Sequence, residues 1–227
     1  MKMSRILLTG AATFLILFSS VAFAQPQSPC DPCVTYCSFT QGGWGAVCQG
    51  GNVACLRDQC FAAIYPSGLF IGRNYPNGCC WLRFTSSQAI EDFLPQGQTP
   101  EALTQNVTDP GVGNITVFSG QVLALKLNID MGDYGCGNLV PIGDLVIAVG
   151  PFAGWTVDAL LAAAMEALGG GALPPGVTFE DLNDAANAVN NNFDNCSGND
   201  GYIVIPPQAQ SLVIRPMDST EPVGDDL

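Results

Sequence analysis

Ten cysteines and twenty acidic residues, set against no histidine, define the chemistry open to this chain of 227 residues. Cys30, Cys33, Cys37, Cys48, Cys55, Cys60, Cys79 and Cys80 crowd one stretch, while Cys136 and Cys196 stand apart. An even number of cysteines in an exported chain favours disulfides. The simplest partition has the first eight pair among themselves and Cys136 bridge to Cys196. That bridge would close a loop of about 60 residues and restrict the unfolded chain by about 4 kcal/mol. Eight cysteines allow about 105 pairings, and spacing does not choose among them. Adjacent Cys79 and Cys80 are expected to bond to different partners, because a vicinal bridge strains the peptide between them. Two rival chemistries remain. The spacing Cys30-x-x-Cys33-x-x-x-Cys37 could hold zinc or an iron–sulfur cluster through thiolates alone. Cys30-Asp-Pro-Cys33 has the form of a redox pair, but such a pair belongs after a strand at a helix N-terminus, where the dipole lowers the thiol pKa. No strand precedes it here. An exported address favours disulfides over both.

The missing imidazole removes Ser-His-Asp and Cys-His nucleophile systems, since nothing can take the proton. It also removes histidine metal sites. Nucleic-acid binding is excluded by charge: a formal net charge of −13 leaves no basic surface to displace counterions. Paired carboxylates are the general acid–base equipment left. Glu91-Asp92 and Glu180-Asp181 each fall near the start of a predicted helix, where negative charge suits the dipole. A structural role therefore competes with a catalytic one, which would need two carboxylates about 5–10 Å apart in one cleft. Two stretches have calcium-like oxygen content, Asp194 to Gly201 and Asp130 to Asp133. The first departs from an EF-hand at Cys196 and Gly198 and has no closing Glu. Trp44 lies in a glycine-rich turn, where its ring could stand clear to stack on a sugar; Trp81 and Trp155 are the other two candidates. Asn106, Asn114 and Asn195 begin N-glycosylation patterns, which the bacterial look of the leader makes coincidental.

The elements that would position these groups begin after a leader. Residues 1–24 have a basic start (Lys2, Arg5), an apolar stretch from Ile6 to Phe18, and the small-x-small site Ala22-Phe23-Ala24 of a secretory signal peptide. No membrane span is expected once it is removed, because Val157–Leu168 is too short and carries Asp158 and Glu166. Residues 25–80 read as a disulfide-rich, Gly-rich head with turns at Gln41–Gly45, Gly50–Asn52 and Pro66–Gly68, and a short strand over Leu69–Ile71. Residues 81–207 read as a small mixed body with about three helices and short strands. The fold class is therefore α+β. Thr85 is the expected N-cap of the first helix, with Gln88 at N3 and Pro95 as the stop. Thr156 caps a second helix, Val157–Leu168, ended by Gly169-Gly170-Gly171. Thr178, with Asp181 at N3, opens a third, in which Leu182, Ala185, Ala186, Val189 and Phe193 recur at helical spacing. The second and third form an αα-hairpin. In Gln121–Met131, Leu123, Leu125, Leu127, Ile129 and Met131 alternate with Ala124, Lys126, Asn128 and Asp130, which favours a strand over a helix. Asp144–Val149 and Tyr202–Ile205 read as buried strands and Ser211–Ile214 as an edge strand. Residues 208–227 comprise that edge strand and an acidic flexible tail.

Three stretches, Phe39-Thr40-Gln41-Gly42-Gly43-Trp44-Gly45, Phe84 to Pro95, and Gly120 to Asn128, resemble an uncharacterised extracellular module of bacterial secreted and surface proteins. The resemblance extends from about Phe39 to Ile205 and implies an exported, cell-surface or matrix setting. It implies no catalytic residues and no cofactor, and the eight-cysteine head departs from the module's pattern. The expectation is a secreted non-enzymatic structural or adhesive protein. Its partners would be itself, as a homo-oligomer or fibre, or other surface and matrix components. Low charged content, 12% of residues, suits self-association. The alternative is a polysaccharide- or calcium-binding module, for which exposure of Trp44 is the distinguishing feature.

Overall fold

In the computed structural model, residues 35–73, 79–113 and 115–204 are described. The leader, Cys30, Cys33, Asn114, the expected strand at Ser211–Ile214 and the acidic tail lie outside them. The chain runs α1 (Gln41–Trp44), α2 (Val53–Ile64), β1 (Leu69–Gly72), β2 (Trp81–Phe84), α3 (Ser87–Phe93) and β3 (Val107–Thr108). It continues with α4 (Val117–Tyr134), a 3-10 turn (Cys136–Asn138), β4 (Val146–Ile147), α5 (Val157–Leu168), α6 (Phe179–Asn192) and β5 (Ile203–Val204). This is a mixed α+β fold with six helices and a few short strands among the described residues. One sheet has the order β1-β2-β3 and a second pairs β4 with β5. No helix among the described residues is long and apolar enough to cross a membrane.

The alternating segment at 121–131 is helix, not strand. It forms the middle of α4, which packs against α1, α2, α5, α6 and β1. Leu123, Leu125, Leu127 and Met131 are all fully buried, on different sides of the same helix. A helix enclosed all round needs no polar face, so its hydrophobic pattern carries no 3.6-residue signature. Within residues 121–131 the partly exposed exceptions are Lys126 and Asp130, an i,i+4 ion pair at 2.8 Å. The ends of α4 are marked locally: Thr116 Oγ1 accepts from the Ser119 amide at 3.2 Å, and Gly135 closes the helix at φ 71°. Gly120 is needed where α4 meets α1, because a Cβ there would overlap the Gln41 side chain.

Helices α5 and α6 start where their caps place them. Thr156 Oγ1 accepts from the Ala159 amide at 3.1 Å. Thr178 and Asp181 form a reciprocal capping box at 3.1 and 2.8 Å. The Asp181 carboxyl accepts from the Thr178 hydroxyl at 2.6 Å and from the Thr178 amide at 2.8 Å, and these two bonds hold it below its ordinary value. At α3 the cap is Ser86, one residue later than expected, with its Oγ 3.2 Å from the Ala89 amide. Thr85 is engaged elsewhere: its amide and hydroxyl donate to the two Asp109 oxygens, each at 2.7 Å. The expected strand over Asp144–Val149 shortens to β4; of that over Tyr202–Ile205, β5 takes Ile203 and Val204, and Ile205 lies outside the described residues.

The disulfides pair differently from the expected partition. Cys136 joins Cys60 and Cys196 joins Cys37, so the bridge from Cys136 to Cys196 does not exist. Cys136 lies in the turn beyond α4, where α2 crosses, and meets a cysteine of α2. Cys196 lies beyond α6, where the chain before α1 runs alongside: Ser38 N donates to Phe193 O at 3.0 Å and Asn195 N to Ser38 O at 3.1 Å. Cys48 joins Cys55 across the start of α2. Adjacent Cys79 and Cys80 are joined to each other, across a cis peptide, rather than to separate partners. The segments on either side of residue 80 share one core. Leu69 and Ile71 of β1 lie opposite Phe84 and Leu82 of β2, all four fully buried together with Trp44, Leu123 and Leu160.

Candidate functional site

The residues singled out by type occupy four settings. Trp44 is not exposed. The expected turn at Gln41–Gly45 is the short helix α1, capped by Thr40, and the indole is fully buried. Its Nε1 donates to Asn128 Oδ1 at 3.0 Å. Asn128 also accepts from the Phe39 amide at 2.9 Å and donates to Phe39 O and Asn190 Oδ1, both at 2.9 Å. Asn190 in turn donates to Gln121 Oε1 at 2.9 Å. This chain of amides ties α1, α4 and α6 together in the core. The three stretches that carry the extracellular-module resemblance also meet: Gly45 lies against Leu94, and Gly120 against the Gln41 side chain.

The Glu91-Asp92 pair lies past the first turn of α3, so the dipole does not explain it. Glu91 Oε2 instead accepts from Arg57 Nη2 at 2.7 Å. Arg57 is fully buried and also donates to Trp44 O at 2.6 Å and Ala46 O at 3.2 Å. Its remaining ion-pair partner, Asp58, is 38% exposed. This is a structural cation, and Glu91 is the group that compensates it from the core side. Replacing Glu91→Ala is expected to destabilise the fold by about 2–4 kcal/mol, because a guanidinium stays buried with one weaker partner. The double variant Arg57→Met with Glu91→Ala recovers most of that loss in urea unfolding if the penalty is electrostatic. Glu180 and Asp181 do occupy the first turn of α6, where the dipole favours them.

Asp130 and Asp133 on α4, with Asp144 and Asp158, form an acidic face. Burial raises the Asp133 carboxyl above its ordinary value, followed by the charges of Asp158, Asp130 and Asp144, with Lys126 opposing. Burial also raises Asp158, with Asp144 and Asp130 adding to it. Tyr65, largely buried, donates to Asp130 Oδ2 at 2.7 Å, and its phenol is pushed far up by burial, by the Asp130 charge and by that bond. Among the described residues no group of three or more Cys, Asp or Glu side chains converges to hold a metal. At the other calcium-like stretch, Asn199 Oδ1 accepts from Gly201 N at 2.7 Å and Asn192 Nδ2 at 3.1 Å. Asp194 Oδ2 accepts from Asn195 Nδ2 at 3.0 Å. Those oxygens are engaged within the turn and by Asn192 at the end of α6. A raised carboxyl binds its proton more tightly in the native state. Asp133 therefore contributes stability that is complete below the unfolded value of 3.8 and lost as pH rises through the folded one. Asp133→Asn is expected to raise the urea midpoint at pH 7, by on the order of 0.5 kcal/mol given its exposure. At pH 3 the two proteins should unfold together; a gain of equal size there would mean the charge is not the cause.

The fourth setting is the outer face of the first sheet. Leu69, Ile71, Leu82 and Phe84 point into the core and are fully buried. The register sets Phe70 opposite Arg83, Gly72 opposite Trp81, and Arg83 beside Thr108 of β3, so Phe70, Trp81, Arg83 and Thr108 share the other face. Gly72, at φ 83°, has no side chain to fill the place opposite Trp81. The indole lies edge-on to Phe70 with ring centres 5.5 Å apart, and the Arg83 guanidinium sits 5.5 Å from the Phe70 centre. Two further bonds hold these residues: Trp81 N donates to Asn106 Oδ1 at 3.0 Å and Arg83 Nη2 to Ser67 O at 2.9 Å. Phe70, Trp81 and Arg83 are half-buried; Thr108 and Asn106 are exposed. Sequence reasoning named Trp81 but missed its company, because strand register alone brings residues 70, 81, 83 and 108 together. A shallow groove of about 230 Å³, lined by Gln105, Val107, Pro110, Gly111, Val112 and Ile115, lies next to β3. Comparison with known proteins adds no relative: no family model, no curated protein and no solved structure matches this chain.

Proposed function

We propose that this chain is a secreted, non-enzymatic structural or adhesive protein of a cell surface or extracellular matrix, working as a rigid subunit. The observation that carries this reading is the placement of the disulfides. Cys37–Cys196 joins positions 159 residues apart, and Cys60–Cys136 ties α2 to the turn after α4. Such bridges persist in an oxidising compartment. They restrain both ends of the described fold rather than a loop around a cleft. The leader-like residues 1–24 and the resemblance of Phe39–Gly45, Phe84–Pro95 and Gly120–Asn128 to an extracellular surface module favour the same setting. The test is the state of the mature protein recovered from outside its native host. Mass spectrometry without reduction should find the described cysteines oxidised, and light scattering with electron microscopy should find an assembled species or adhesion to a surface. An oxidised protein that stays monomeric and adheres to nothing would overturn the structural and adhesive reading.

A second reading, a polysaccharide-binding module, no longer draws support from Trp44, which is buried. It draws support from the outer face of the first sheet, where Trp81, Phe70 and Arg83 form a row.

A further inference from the structure

We infer that the outer face of β1-β2-β3 is a docking surface for an acidic polysaccharide, a polymer of carboxylate-bearing sugars, which stacks on Trp81 and is held through its carboxylate by Arg83. The inference rests on the second reading above, polysaccharide binding, and names the class of polymer. The first argument is charge. The described residues contain four basic side chains. Arg57 has Glu91 at 2.7 Å, Arg73 has Glu166 at 3.4 Å and Lys126 has Asp130 at 2.8 Å. Arg83 alone among them has no carboxylate within ion-pair distance, in a chain with twenty acidic residues. It is nonetheless held in place, by Ser67 O and the Phe70 ring, so its entropy of ordering is already spent. Its Nε is buried and its Nη2 donates to Ser67 O, so Nη1 and the second Nη2 hydrogen are left to meet a carboxylate from outside the protein.

The second argument is shape. Trp81 and Arg83 both pack against Phe70, each 5.5 Å from its ring centre, so the three side chains form one continuous patch on the sheet face. Aromatic rings at a wet surface present an apolar body that suits the C–H face of a sugar, with a polar rim for its hydroxyls. Asn106 and Thr108 supply that rim. The Asn106 carbonyl oxygen is occupied by the Trp81 amide, which leaves its NH₂ to face a hydroxyl. The third argument is the remainder of the molecule. With a formal net charge of −13 and the other three described cations each held by a carboxylate, Arg83 is the one basic group among the described residues left to attract a polyanion.

The experiment is affinity electrophoresis of the oxidised mature protein through gels containing a soluble polyuronate, with a carboxyl-reduced version of the same polymer as comparison. The wild-type protein should be retarded by the polyuronate and at least tenfold more weakly by the reduced polymer. Arg83→Gln should lose about tenfold in apparent affinity with its thermal midpoint and disulfides unchanged, and Trp81→Leu should lose retention of both polymers. Equal retention by the two polymers, or no retention of the wild type, overturns the inference even if either variant fails to fold. Assembly of the wild type, followed by light scattering in the same buffer without polymer, judges the structural reading separately.

Discussion

Replacing Asn128→Leu is expected to cost about 4 kcal/mol or more, a large share of the roughly 5–15 kcal/mol that holds a domain together. Leucine has the same branching and is no smaller than asparagine, so the loss is not a cavity effect. Four polar groups lose their partner at once: the Trp44 indole N–H, the Phe39 amide and carbonyl, and the Asn190 side-chain oxygen. All sit where water cannot replace the bond, since Trp44 and Asn190 are fully buried and Asn128 is 3% exposed. Each orphaned group carries a desolvation penalty of about 1–3 kcal/mol. Asn128→Asp should fall between the two proteins: a carboxylate still accepts from Phe39 N and Trp44 Nε1 but cannot donate to Phe39 O or Asn190. Urea unfolding followed by indole fluorescence measures the effect directly, because release of Trp44 into water shifts its emission. Asn191→Ala, which removes a hydrogen bond within α6 to Asn187, is the comparison and should change stability by no more than about 0.5 kcal/mol. If Asn128→Leu also falls within that range, the amide chain is not what fastens α1 to α4 and α6.

Removing the Cys37–Cys196 bridge as the pair Cys37→Ala and Cys196→Ala is expected to cost about 5 kcal/mol on the loop-entropy model, against about 2 kcal/mol for the Cys48–Cys55 pair. The difference comes from sequence separation, 159 residues in one case and 7 in the other. The native geometry should survive the change, because Ser38 keeps the strand-like pairing beside Asp194 and its Oγ accepts from the Phe193 amide at 2.9 Å. The stability lost therefore comes from an unfolded chain set free, and the midpoint in urea should drop with little change in the native circular dichroism. A Cys37–Cys196 variant no less stable than the Cys48–Cys55 variant would show that the clamp between the two ends is held by Ser38 and the core alone.

Helix ends were legible in the residues wherever the determinants are local. Thr156 and Thr178 cap the helices they were expected to cap, and Asp181 completes its box, because an N-cap acts within four residues of chain. The shift from Thr85 to Ser86 marks the limit of that logic: a residue 24 positions away, Asp109, claims the threonine. The alternating leucines of α4 misled for a related reason. Periodicity reports a boundary between core and water, and a helix enclosed by five neighbours has almost none; its caps, Thr116 and Gly135, were the signal that remained. Composition pointed to disulfide chemistry, which the described cysteines show, and it removed imidazole catalysis. Which cysteine meets which was decided by the crossing of α2 under the end of α4 and by the return of the chain beside Ser38, both long-range events. Tertiary structure also moved Trp44 from a supposed open turn into the core and assembled Phe70, Trp81, Arg83 and Thr108 on one sheet face. Strand register brings together residues that no spacing in the sequence relates, because which strands pair is settled by the burial of Leu69, Ile71, Leu82 and Phe84 on the opposite side.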